Sequence, residues 1–191
     1  MKSIKILFAI LVLSAAAFGQ TKDLGLGAFA NDEAQLMLAV DAGVAIKNLS
    51  SPYVLFVVWM ASKDQGRNIV VERKGVTLLY NGQELQMPSY KELRKGYEAE
   101  LRDIALYRHL GKEGIASSWI RFYKFPNEGD FFPPLTRRAL SKTDQGSMSG
   151  FLGFVTKCYF KNPGFKKGDK IVIRVKAKNV PDLSGEVAVL L

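Results

Sequence analysis

Apolar and polar residues alternate with a period of two along much of this chain, the spacing of strands with one face buried. Leu36, Leu38 and Val40 alternate with Gln35, Met37 and Ala39, and a second short run, Val44 to Ile46, follows Gly43. Pro52 introduces Tyr53 to Met60, a nearly unbroken apolar run too short for a core helix. That run is expected to form a strand buried on both faces. Val76–Tyr80 and Gln83–Met87 flank Asn81-Gly82, a pair that tolerates the two positive φ values of a type I′ hairpin turn. Ile171, Ile173, Val175 and Ala177 point one way and Arg174, Lys176 and Lys178 the other. Phe151 to Phe160 reads as a strand with Leu152, Phe154, Cys158 and Phe160 inward, and Val187 to Leu191 as a closing strand.

The period changes once. Ser89 and Glu92 form a Ser-x-x-Glu capping box, and Tyr90, Leu93, Tyr97, Leu101 and Ile104 recur at spacings of three and four. Arg94 with Glu98, and Glu98 with Arg102, are placed to pair on the polar side, and Gly111 is a C-terminal stop. One amphipathic helix over about 90–110 follows. Eight or nine short strands around it, without a βαβ rhythm, predict a mainly β fold: an antiparallel immunoglobulin-like β-sandwich with one inserted helix.

The first residues carry a different pattern. Lys2 and Lys5 precede an apolar stretch from Ile6 to Ala17, with small residues following at Ala17 and Gly19. This is the layout of a cleaved secretory signal, with processing expected between Gly19 and Gln20. Residues 20–191 are then expected to form a single domain that is secreted or periplasmic, without a lipid-anchor cysteine or a later transmembrane segment. With one cysteine, Cys158, an intrachain disulfide is impossible, so packing must supply the stability.

Charge sharpens the picture. The chain carries +9, and between Lys157 and Lys178 eight basic residues stand against the single acid Asp169. Lys166, Lys167, Lys170, Arg174, Lys176 and Lys178 make this a candidate surface for an anionic partner: an acidic polysaccharide, a lipid headgroup or an acidic protein. The simpler reading is a solubilising strand face. Nucleic acid is not expected, because the chain is exported and these cations lack stacking aromatics.

Reactive chemistry is sparse. His109 is the only histidine, which removes multi-histidine metal sites, and it is expected at the helix end, favourably placed against the dipole. Gly146-Ser147-Met148-Ser149-Gly150 places methionine where a nucleophile elbow needs serine. Cys158 is expected to be buried and inert, and no metal or cofactor is implied. Glu98, Glu100 and Asp103 are expected on a solvated helix face. Glu128 and Asp130, beside several aromatics, are the carboxylate pair for an alternative reading as a carbohydrate-active hydrolase. Asn48-Leu49-Ser50 is a glycosylation sequon.

A last candidate is aromatic. Trp119, Arg121 and Tyr123 share a strand face with Phe125, and Phe131 and Phe132 follow in a proline-containing loop. Exposed, these rings could stack on sugars or grip a partner; covered by the helix, they are core. The chain is expected to be a non-catalytic module whose outer surfaces bind a macromolecule or join an envelope assembly. Self-association through edge strands is a further possibility.

Overall fold

The computed structural model describes residues 21–111, 123–126, 130–133 and 144–191. The fold is mainly β, with antiparallel sheets in a sandwich arrangement. Its strands are β1 (Lys22–Gly25), β2 (Ala28–Asn31), β3 (Leu36–Asp41), β4 (Tyr53–Ser62), β5 (Ile69–Glu72), β6 (Val76–Tyr80), β7 (Gln83–Gln86), β8 (Gln145–Met148), β9 (Phe154–Lys161), β10 (Lys170–Lys176) and β11 (Ser184–Leu190). The helices are α1 (Gly43–Lys47), α2 (Tyr90–Gly96) and α3 (Glu100–Gly111).

One sheet has the order β1-β2-β3-β4-β9 and faces a second of order β11-β10-β6-β7; β5 and β8 form a separate ribbon. Strand β4 is interior to the larger sheet and buried from Val54 onward, as its continuous apolar run predicts. Its even-numbered residues, Val54, Phe56, Val58 and Met60, share a face with Leu38 and Val40 of β3 and Cys158 and Phe160 of β9. Leu38 reaches the backbone of Gly185 in β11, so this face meets the second sheet. The odd-numbered face, with Tyr53 and Tyr159, meets Tyr97 beside α2 at ring separations of 5.5 and 6.0 Å. Helix, five-stranded sheet and four-stranded sheet therefore stack as three layers.

Gly185 is required where the sheets converge: a Cβ there would stand 2.3 Å from the Leu36 carbonyl oxygen. At this corner Asn31 Nδ2 donates to the Glu186 carbonyl, and the Ala188 N–H donates to Thr21 Oγ1. Side chains thereby cap the open edge of β11, one of the ways a sheet avoids unwanted pairing.

The Asn81-Gly82 hairpin forms as expected, with φ of 49° and 77° at the two turn residues and Thr77–Tyr80 paired to Gln83–Gln86. Four expectations are corrected. The strand order is not immunoglobulin-like: β1 to β4 are consecutive neighbours in one sheet, whereas that fold changes sheets after its second strand. Val44 to Ile46 lie in helix α1, not a strand, because Asp41 Oδ1 accepts the Gly43 N–H at 2.8 Å and turns the chain. Leu152 lies in the turn before β9 and is exposed, not inward.

The fourth correction concerns the helix of about 90–110, which is two helices. The capping box at Ser89 and Glu92 starts α2 as predicted, but Gly96 ends it and Tyr97 is extended at φ −143°, ψ 106°. Glycine is costly inside a helix, and the break frees Tyr97 to turn into the core. Leu101 consequently falls off the apolar stripe onto the surface, while Ile104 stays buried.

Candidate functional site

Two groups of polar side chains stand out. The first lies under the elbow between α2 and α3. Glu100 and Asp103, in the first turn of α3, are 2% and 1% exposed, so the solvated face expected for them is wrong; Glu98 alone of the three is exposed. Arg94 pairs with Glu100 at 3.1 Å, not with Glu98, and its guanidinium lies over the Tyr90 ring and donates to the Pro133 carbonyl. Tyr97 donates its hydroxyl proton to Asp103 Oδ2 at 2.5 Å, and Asn48 Nδ2 donates to Asp103 Oδ1 at 3.1 Å. Burial pushes both carboxyls above their ordinary range; Arg94 and Lys157 oppose this at Glu100, and Tyr97 opposes it at Asp103. The Tyr97 phenol is pushed up to about 12, first by burial and then by Asp103.

This cluster is a set of ties between elements. Asn48 belongs to the loop after α1, Tyr97 to the elbow, and Pro133 to the loop before β8. In the folded chain the sequon nitrogen, Asn48 Nδ2, is engaged by Asp103. Neither oxygen of Glu100 has an aligned hydrogen-bond donor, and the fully buried Tyr159 hydroxyl also lacks a partner among the described residues.

Asp130 is engaged nearby. It forms an ion pair with Lys157, and its Oδ1 accepts from the Phe132 N–H at 3.1 Å and from Thr156 Oγ1 at 3.2 Å. These contacts pin the loop to β9; Glu128, the expected companion of Asp130, lies outside the described residues. Phe131 meets the Phe154 ring at 5.3 Å on one face of the sheet, and Phe132 meets Tyr159 at 5.5 Å on the other. Both are buried, at 2% and 0% exposure, and pack as part of the core. Tyr123 is half-buried, with its hydroxyl donated to the Ser62 carbonyl at 3.0 Å. Trp119 and Arg121 lie outside the described residues.

Cys158 is buried on the inner face of β9, and desolvation holds its thiol well above the ordinary cysteine range. In the native state it is expected to resist a water-soluble thiol reagent for hours and to react at once in denaturant; rapid native labelling would contradict this placement. His109 is exposed in the last turn of α3, as expected.

The second group is basic. Lys166, Lys167, Lys170 and Lys176 are exposed around β10 and the loop before it. Arg174 is not available: it is half-buried and paired with Glu186 on β11. Beyond the Lys176 end of β10 lies an open groove of about 580 Å³, lined by Glu72, Lys74, Gly75, Gln86, Lys176, Ala177 and Lys178. It forms where β5, the turn into β6, the end of β7 and the end of β10 converge, brought together by the β6–β10 and β6–β7 ladders. Gly75 fits the wall, since a Cβ there would stand 2.7 Å from the Lys176 carbonyl oxygen. Glu72 is the one acid in the lining. Its Oε1 pairs with Lys178 at 2.5 Å and its Oε2 with Lys74 at 2.9 Å, and these ammonium groups hold it below the usual carboxylate range.

Lys176 and Lys178 were legible as cations of an outward strand face. Glu72, Lys74 and Gln86 were not, because only the β6–β10 pairing brings them beside β10. Among the described residues no helix is long and apolar enough to cross a membrane, and no cluster of His, Cys, Asp or Glu could hold a metal ion. Comparison with protein-family models, curated proteins and solved structures gives no match.

Proposed function

We propose that the protein is an exported, non-catalytic β-sandwich module that binds an anionic partner of the cell envelope or extracellular space through the basic surface around β10. Residues 1–19 act as the cleaved signal and residues 20–191 as one domain. The observation that supports this reading is the groove: three lysines and a glutamine amide converge on a concave surface with a single acid among them. Such an arrangement concentrates positive potential where a chain can lie.

The groove has no aromatic ring in its lining and only Ala177 as an apolar side chain. A neutral glycan has nothing to stack on, and binding must come from charge. The test is retention on an immobilised acidic polysaccharide at increasing salt. Wild type is expected to elute well above the salt that releases a Lys74→Ala, Lys176→Ala double variant, and to ignore a neutral dextran matrix. Salt-insensitive retention, or equal elution of the two proteins, would contradict the reading.

A further inference from the structure

We infer that the groove is a site for the carboxylates of a uronate-type polysaccharide, and that Glu72 is a built-in competitor for it. This rests on the proposed reading of the basic surface and extends it to ligand class and control. The geometry is that of a carboxylate cradle already filled: Lys178 and Lys74 approach separate oxygens of one carboxylate. Glu72 is the inward member, with its side chain 18% exposed, while Lys74 and Lys178 are 82% and 50% exposed. Both lysines hang on flexible stems over an open groove and can exchange an internal carboxylate for an external one without moving a strand.

Lys176 and Gln86 complete the lining. Lys176 makes no ion pair among the described residues, so it offers the first point of attachment for an incoming anion. An acid on the ligand then displaces Glu72 from one lysine or both. A protein partner is disfavoured, because a stable protein interface relies on buried aromatic or aliphatic anchors and this groove supplies no pocket for one. A repeating polyanion needs only spaced charges.

Removing the competitor should strengthen binding. Glu72→Gln keeps the size and the β5–β8 pairing of Glu72 with Gln145 while withdrawing the charge. The experiment measures affinity of wild type and Glu72→Gln for a fluorescent oligogalacturonate across a salt series, with polyglutamate as the parallel probe and thermal unfolding as the control for folding. The variant is expected to bind oligogalacturonate at least five-fold more tightly, with a salt slope steeper by roughly one to two as the freed lysines engage the ligand's carboxylates. Polyglutamate is expected to bind more weakly than oligogalacturonate to both proteins. If wild type binds but the variant gains nothing, the competitor role fails while the basic-surface reading survives. If neither protein binds any acidic probe, both fail. If polyglutamate matches oligogalacturonate, the polysaccharide assignment is overturned.

Discussion

Replacing Phe132 with alanine is expected to cost about 3–5 kcal/mol of stability, the range for deleting a buried aromatic ring. Phe132 is fully buried, sits edge-on to Tyr159 at 5.5 Å, and carries the Arg73 guanidinium 5.8 Å from its ring centre. Among the described residues, the loop that holds it is tied down through Asp130, Thr156 and the Arg94 contact with Pro133. Loss of the ring opens a cavity against β9 and leaves the alanine backbone pinned by Asp130, so collapse cannot fill the space. Denaturant unfolding of the variant measures the loss. A change below about 1 kcal/mol, the scale of an exposed site, would mean that the ring is a surface group after all.

The second large effect concerns the buried ion pair of Arg94 and Glu100. Arg94→Met is expected to destabilise by about 3 kcal/mol, because it strands a carboxyl that is 2% exposed and has no aligned donor. Adding Glu100→Leu should recover most of that loss, since an apolar pair of similar volume removes the desolvation penalty altogether. The pH dependence separates the two variants. A carboxyl whose folded pKa is raised contributes stability that is fully present below its unfolded pKa, about 4, and is lost as pH rises through its folded value. Without Arg94 the Glu100 value climbs further, so the single variant should recover more stability on mild acidification than the double variant, in which only the contribution of Asp103 remains at the elbow. An equal loss in both, independent of pH, would place the cost in packing and not in charge.

The two cases show where the sequence was readable. Strands with clean alternation or a continuous apolar run, β4, β6 and β10 above all, announce themselves because periodicity is local information. The Asn81-Gly82 turn does so because only a few residue types accept its backbone. The elbow after Gly96 was hidden: spacing carried the apolar stripe through Tyr97, and nothing local says that Tyr97 gains more by turning inward to Asp103. For the same reason Glu100 and Asp103 read as surface acids. Their partners, Asn48 on one side and Arg94 on the other, become neighbours only when the helices fold onto the sheet. Phe131 and Phe132 posed the opposite problem. Their rings were ambiguous between a contact surface and core, and the decision lay in Asp130 and Thr156 fastening the loop across the edge of β9.

The basic surface divides in the same way. Eight cations between Lys157 and Lys178 are visible as composition, yet Lys157, Arg174 and Lys178 each have an acidic partner contributed by a distant element or a neighbouring strand. What remains is a smaller, directed feature: exposed lysines near the β9–β10 loop, and the groove at the other end of β10. Composition overstated the charge that a ligand would meet and missed the concavity that would orient it.

Residue-resolved mapping of the bound state tests the central claim most directly. Backbone amide shifts of the isotope-labelled protein would be followed by NMR while an oligogalacturonate is added at low salt. Perturbations should gather at Lys74, Gly75, Gln86, Ala177 and Lys178 and fade as salt is raised. Shifts confined to the α2–α3 elbow, or an unchanged spectrum at saturating ligand, would contradict a function carried by this groove.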